Sequence, residues 1–353
     1  MNSHPIRHTL IPLLSLLLLC STAGLLGSCV EEESPNDTPT GNFEALWKIL
    51  DTRYCFFDYK AGVYGLDWNE VHDRYKKRIS DSMSEQGLFE VLGDMLCELR
   101  DGHVNLYSSY DAARYWDWKQ GYPANYSDTL QRIYLGTRYK MAGNISYTIF
   151  DDNIGYAYCS SFEDSFGEGN LDAMFNYFSF CSGIIIDVRN NGGGMITAAE
   201  ALASRFTNQK TLVGYMSHKT GTGHNDFSTP EEIYLKPASG IRWQKRVIVL
   251  TNRSTYSAAN YFVSIMHRLP LVTLAGDQTG GGSGLPFTSM LPNGWTVRFS
   301  ACPTYDANMQ QIEFGIVPDM QVGITSIDMQ RGRDTIIEIA RAMLKGELQP
   351  VGK

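Results

Sequence analysis

This sequence predicts an α/β fold with a mainly parallel sheet, preceded by a small helical domain. Three observations carry that prediction. First, Gly183-Ile184-Ile185-Ile186-Asp187-Val188 and Val247-Ile248-Val249-Leu250-Thr251 are unbroken apolar, β-branched runs, as strands buried on both faces require. Second, each run leads through a turn rich in small or polar residues into a helical pattern, Ala198 to Phe206 after the first and Ala258 to Ile265 after the second. Third, from about residue 145 strands and helices alternate, which argues for helices packed on the faces of one sheet.

Taken in order, the chain opens with Arg7 and His8 ahead of an apolar stretch from Leu10 to Cys20. That pattern reads as a secretory signal over residues 1–28, too short for a spanning helix. Leu25-Leu26-Gly27-Ser28-Cys29 resembles the bacterial lipobox, which implies lipidation at Cys29 and attachment to the outer membrane of a cell envelope. Residues 29–41, with Glu31-Glu32-Glu33-Ser34-Pro35, read as an acidic flexible tether. Residues 42–102 read as helices: Phe43, Leu46, Trp47 and Leu50, then Val71, Tyr75 and Ile79, then Leu88, Val91, Leu92, Met95 and Leu99 follow helical spacing. Gly102 ends that region, and Val104 to Tyr107 alternates like a strand. The core is expected over 103–350. Within it, 108–143 is rich in tyrosine and tryptophan with weak periodicity. It forms a poorly assigned insertion, too short for an added peptide-binding domain, so no PDZ domain is expected. Ile145–Phe150 and Ile154–Tyr158 pair as strands, 171–178 is a helix, 211–216 and 271–275 are strands, Pro292-Asn293-Gly294 turns a hairpin, and a helix from Asp334 to Leu344 closes the chain.

Net charge is −8, and no basic cluster is present. Both facts argue against nucleic acid as a partner. The cysteines after Cys29 are Cys55, Cys97, Cys159, Cys181 and Cys302. An odd number without regular spacing is not a disulfide framework. Beyond the signal segment there is no Cys-x-x-Cys or His-x-x-x-His pair, so neither a metal nor another cofactor is expected.

Five segments carry residues suited to chemistry. Ser257 follows a strand and opens a helix whose first residues are alanines. It could serve as a helix cap, or as a nucleophile beside free N–H groups. His103 sits at a loop-to-strand junction, where it is a structural histidine or a general base. Arg189-Asn190-Asn191-Gly192-Gly193-Gly194 ends a buried strand. A tight turn, a phosphate cradle and an oxyanion hole all fit a glycine cluster there, but no phosphate-loop pattern is present. Asp277 to Gly284 is a second glycine-rich loop, and Glu313 precedes an apolar stretch.

Five pieces in this order are Asp101-Gly102-His103, Ile186 to Gly194, Thr255-Tyr256-Ser257-Ala258-Ala259, Gly276 to Gly281 and Glu313-Phe314-Gly315-Ile316-Val317-Pro318-Asp319. Together they resemble the C-terminal-processing (tail-specific) and tricorn-core serine protease family over roughly residues 43–345. The resemblance implies a ClpP/crotonase-like core and a serine endopeptidase acting on peptide or protein substrates. The tail-specific branch uses a Ser–Lys dyad, but Gly282 stands at its lysine position and no lysine lies between Lys245 and Lys345. The His-dependent branch remains. It implies Ser257 as nucleophile, His103 as base and Glu313 fixing the imidazole tautomer, directly or through a water. Gly193 and Ala258 would donate to the oxyanion, and Gly192, Gly194 and Gly281 would shape the loops around it. Two departures stand out: Gly102 replaces a serine beside the histidine, and Asn260 replaces a frequent glutamate. They leave open a peptide- or ligand-binding lipoprotein without turnover on the same scaffold, and the aromatic content leaves a glycan binder.

Overall fold

The computed structural model describes residues 36–349, and the signal segment, Cys29 and most of the tether lie outside them. The described chain begins in helices: α1 (Pro39–Arg53), α2 (Phe57–Tyr64), α3 (Trp68–Lys76) and α4 (Glu85–Cys97). Helix α1 starts at Pro39, inside the expected tether of residues 29–41, because Thr38 caps it by accepting from Gly41 N–H and Pro39 occupies its first turn. After α4 come β1 (Asn105–Tyr107) and β2 (Ala112–Arg114), then α5 (Asp128–Leu135), β3 (Lys140–Ala142), β4 (Ile145–Ile149) and β5 (Ile154–Cys159). Next are α6 (Glu168–Tyr177), β6 (Gly183–Asp187), α7 (Ile196–Ala203), β7 (Thr211–Met216), β8 (Glu231–Leu235), β9 (Val247–Thr251) and α8 (Ala258–Arg268). The chain closes with β10 (Val272–Gly276), β11 (Pro286–Met290), β12 (Thr296–Ser300), β13 (Thr304–Asp306), β14 (Met320–Gln321), α9 (Ser326–Gln330) and α10 (Thr335–Lys345). The segment 108–143 thus contains two short strands and a helix. Its polar and aromatic surface hid them, because most of it is exposed.

The central sheet runs β14-β10-β9-β6-β5-β4-β3. Strands β14, β10, β9, β6 and β5 are parallel neighbours, and β4 and β3 extend the sheet antiparallel. Side-chain alternation explains the unbroken apolar runs. Ile184, Ile186 and Val249 face a core shared with α6, α7 and α8, whereas Ile185, Ile248 and Leu250 face a second core closed by α10. Asp334 caps α10 by accepting from Ile336 and Ile337 N–H.

A smaller antiparallel sheet, β11-β12-β1-β2, joins the strand after His103 to the hairpin at 286–300. The N-terminal helices keep no core to themselves: Phe43, Leu46, Tyr54 and Leu92 pack with Leu106, Trp295, Val297 and Phe299 of this sheet. This shared core fixes the position of residues 101–104.

At the carboxyl end of β6, Arg189 is fully buried between two carboxylates. Its guanidinium donates to both oxygens of Asp187, at 2.9 and 2.6 Å, and at 2.9 Å to Asp334. One side chain thereby joins the strand that leads into the glycine loop to the cap of α10. Arg189→Met leaves two buried acids without their cation and lowers unfolding free energy by about 3–5 kcal/mol, measured by urea denaturation. A loss below about 1 kcal/mol would show that the pair behaves like a surface contact.

Candidate active site

The carboxyl ends of three adjacent parallel strands, β6, β9 and β10, deliver the loops that surround Ser257. Ligand sites in open α/β sheets lie at this edge. The loops are laced together. Tyr256 N–H donates to Asn191 O at 3.0 Å, Thr255 Oγ1 to Val188 O at 2.9 Å, and Ser257 N–H to Gly281 O at 2.8 Å. Held in this way, Ser257 adopts φ 57° and ψ −123° at the N-terminus of α8. That is a strained conformation for a residue with a Cβ. Its side chain makes no cap bond, so it is not spent on the helix.

His103 approaches from the other sheet. Its Nε2 lies 3.0 Å from Ser257 Oγ, across 154 residues of sequence. The ring is buried, with 3% of the residue exposed, and burial is the main cause holding its pKa down at about 4, with the Arg298 charge adding to it. The imidazole is therefore neutral at pH 7, as a base accepting from a serine hydroxyl must be. Its Nδ1 has no hydrogen-bond partner. The Ser283 backbone lies near enough to favour the charged ring without completing a bond at Nδ1.

Behind the histidine is a buried charge cluster that sequence reasoning missed. Lys60 of α2 places its ammonium 3.6 Å from Asp101 and 3.4 Å from Glu313, and it donates to Leu99 O at 2.6 Å. Asp101 accepts from His103 N–H at 2.8 Å, and from Tyr54 and Ser300 hydroxyls at 2.9 Å each. Burial opposes its ionisation, but Lys60 and then His103 hold its carboxyl below the usual range. Glu313 behaves oppositely. Burial, and then the Asp101 charge, push it up to about 8, which favours its protonated form.

Two expectations need correction. Glu313 does not bond the imidazole: its carboxyl accepts from Ser283 N–H at 2.9 Å and faces Lys60, because the buried ammonium draws it away from the ring. Gly193 does lie against Ser257, and a Cβ there would fall 2.8 Å from Ser257 Cβ at φ 102°. Its N–H, however, donates to Asn191 Oδ1 at 2.9 Å, so it is not free to receive an oxyanion in this state. Among the described residues, Ala258 N–H, first in α8, has no protein acceptor. Gly194 lines the pockets on both sides of Ser257, and Gly192 lines the one on the Trp118 side.

The departures at Gly102 and Asn260 have structural explanations. A Cβ at Gly102 would meet Trp118 Nε1 and Tyr256 OH at 2.7 Å each. The indole of Trp118, from the unassigned segment, stacks on Tyr256 at 4.5 Å, and Tyr256 leans on His103 with centroids 5.0 Å apart. Asn260 accepts from Thr279 Oγ1 at 2.6 Å and donates to Ile312 O at 3.0 Å, joining α8 to the loops behind it. On one side of Ser257 a small pocket of about 90 Å³ runs between Ala258, Tyr261, Leu285 and Ile312.

Comparison with known proteins points to a peptidase family. Residues 153–322 match the model of peptidase family S41, and residues 35–97 match the tricorn protease C1 domain. A crystal structure from Parabacteroides merdae ATCC 43184, described provisionally as a peptidase, is 54% identical with a TM-score of 0.83, covering 88% of this chain and 97% of that one. The carboxy-terminal processing protease CtpA of Bacillus subtilis (strain 168) is 25% identical over 173 residues, 48% of this chain. The match spans about a third (35%) of that curated relative. Mature CPAF shares the fold at 13% identity and TM-score 0.67, with 89% and 99% of the two chains covered.

The buried neutral ring makes a prediction that needs no substrate. Below its ordinary pKa of 6.5 the unfolded chain takes up a proton that the folded ring refuses down to about 4, so His103 makes stability fall as pH drops from 6.5 to 4. NMR titration of the imidazole gives a midpoint near 4. A midpoint at 6 or above, the range of a solvated histidine, would mean that the ring is not held as described.

Proposed function

The chain belongs to peptidase family S41, the C-terminal processing proteases, and is a serine-type peptidase; we propose that it cleaves peptide bonds with Ser257 as nucleophile and His103 as general base. The observation that carries this assignment is the 3.0 Å approach of Nε2 to an Oγ held at positive φ on a helix start. As Oγ attacks the peptide carbonyl, its proton passes to Nε2. The tetrahedral intermediate collapses to an ester on Ser257 while the imidazolium gives that proton to the departing amine. Water, deprotonated by the same nitrogen, then hydrolyses the ester. Ala258 N–H receives the developing oxyanion, helped by the field of the α8 N-terminus.

Glu313 works at one remove. It holds the Ser283 backbone beside the ring, and with Lys60 and Asp101 it fixes the loop that carries His103. The site is therefore a serine–histidine pair set in a Lys–Asp–Glu cluster rather than a linear chain of three hydrogen bonds. Trp118 and Tyr256 wall the cleft above it, and the apolar pocket beside Ala258 receives a side chain of the peptide.

Two experiments test this reading. A fluorophosphonate probe labels Ser257, and Ser257→Ala or His103→Ala lowers peptide hydrolysis by roughly 10,000-fold or more. Undiminished cleavage in either variant would remove that residue from the mechanism. The second concerns address. We infer that Cys29 carries lipid and that the peptidase works in the cell envelope, anchored to the outer membrane, because Leu25-Leu26-Gly27-Ser28-Cys29 follows an apolar targeting stretch. Cells fed an alkyne fatty acid incorporate it into the wild-type chain and not into Cys29→Ser. Equal incorporation in both would contradict the anchor.

A further inference from the structure

On the side of Ser257 away from the apolar pocket, the cleft carries cations that no carboxylate among the described residues neutralises. Arg298 lies on β12 directly across from Asn105 of β1, and Arg114 of β2 lies directly across from the same Asn105. Residues opposite one another in an antiparallel sheet share a face, and neighbouring strands are ~4.8 Å apart. Arg298, Asn105 and Arg114 therefore form one row, with the arginine backbones about 10 Å apart, and Asn105 is two residues beyond the imidazole.

Arg298, half-buried, makes no hydrogen bond, ion pair or ring contact with any described residue, although it lines the space on both sides of the serine. Arg114 donates to Tyr107 OH at 2.8 Å and lies over the Trp116 ring at 5.4 Å. Lys119 lies over Trp118 at 4.9 Å. Neither meets a carboxylate among the described residues. One acid, Glu163, lines the same cleft. A chain of net charge −8 has thus gathered three unneutralised cations beside its nucleophile. Their aromatic neighbours hold the Arg114 and Lys119 stems without satisfying their charge.

We propose that this cleft is an acidic-peptide subsite, in which Arg298, supported by Arg114 and Lys119, pairs with carboxylates of the substrate on one side of the scissile bond. The proposal rests on the Ser257–His103 reading above and adds the substrate class. A guanidinium fork with no internal partner matches a carboxylate in two parallel hydrogen bonds. Three cations spread along a cleft suit several acidic side chains better than a single terminal carboxylate. The Arg298 charge also explains part of the low basicity of His103. A carboxylate bound to Arg298 would cancel that repulsion when the base is needed.

The test uses the full chain carrying Ser257→Ala and labelled peptides with amidated C-termini, in which glutamates on either side of the scissile bond replace glutamines. Fluorescence anisotropy is expected to show the glutamate peptides binding about 10-fold tighter or more, with the advantage shrinking as NaCl is raised. Adding Arg298→Gln levels the pair, while Arg298→Lys keeps part of the difference. Because Arg298 holds no partner among the described residues, its substitution strands none of their groups, and circular dichroism checks that the variants are folded. A third peptide, neutral but with a free C-terminus, separates the sources: an advantage confined to it assigns the cleft to a terminal carboxylate and overturns the side-chain proposal. Equal affinity for glutamate and glutamine peptides, or a ratio unmoved by Arg298→Gln, overturns it as well. If the wild type cleaves both peptides equally at a probe-labelled Ser257, this proposal fails and the catalytic assignment stands. If binding discriminates but nothing is cleaved, the reverse holds.

Discussion

One buried ammonium determines much of this structure. Lys60 is fully buried beside Asp101 and Glu313, and those three residues come from an N-terminal helix, the histidine loop and a loop more than 200 residues later. A cation taken out of water without a counter-charge is strongly disfavoured, so the three segments must come together or none of them folds correctly. Asp101 is held below and Glu313 above the usual carboxylate range, a split that relieves the repulsion of two adjacent carboxylates. The N-terminal helices are therefore part of this arrangement: they carry the charge that positions the loop bearing His103.

From that anchor the geometry follows in steps. Asp101 fixes the His103 backbone, the β1–β12 pairing fixes the direction of the strand beyond it, and the imidazole is left facing the ends of β6, β9 and β10. On the other side, strain at Ser257 is maintained by bonds to Asn191, Val188 and Gly281 through it and its neighbours. Backbone strain of this kind persists only where the surroundings over-determine it. The two halves meet at a single contact, the imidazole against the hydroxyl.

How much of this was legible in the sequence depended on where each signal lay. Strands such as 183–188 and 247–251 were plain because burial on both faces demands uninterrupted apolar residues. Ser257 and His103 were legible because each sits at an element boundary in a distinctive local pattern. Lys60 was not: in Phe57-Asp58-Tyr59-Lys60 it reads as a surface charge, and only folding encloses it. Helix α5 and Trp118 were lost in a segment whose exposed polar and aromatic residues erase periodicity. Glu313 was placed near the site correctly but given the wrong neighbour, since a local pattern records that an acid is there and not which cation it will face. Arg298 gave no sign at all. Its meaning is set by strand register and by the absence of an internal partner, which are properties of the folded chain.

The most direct test of the account is a crystal structure of the chain after reaction with a peptidyl phosphonate, a mimic of the tetrahedral intermediate. The account predicts phosphorus bonded to Ser257 Oγ, its oxygen accepting from Ala258 N–H, His103 Nε2 within hydrogen-bond reach of the adduct, and Lys60 still between Asp101 and Glu313. A phosphonate bonded elsewhere, or an adduct on Ser257 with the imidazole turned away from it, would contradict it.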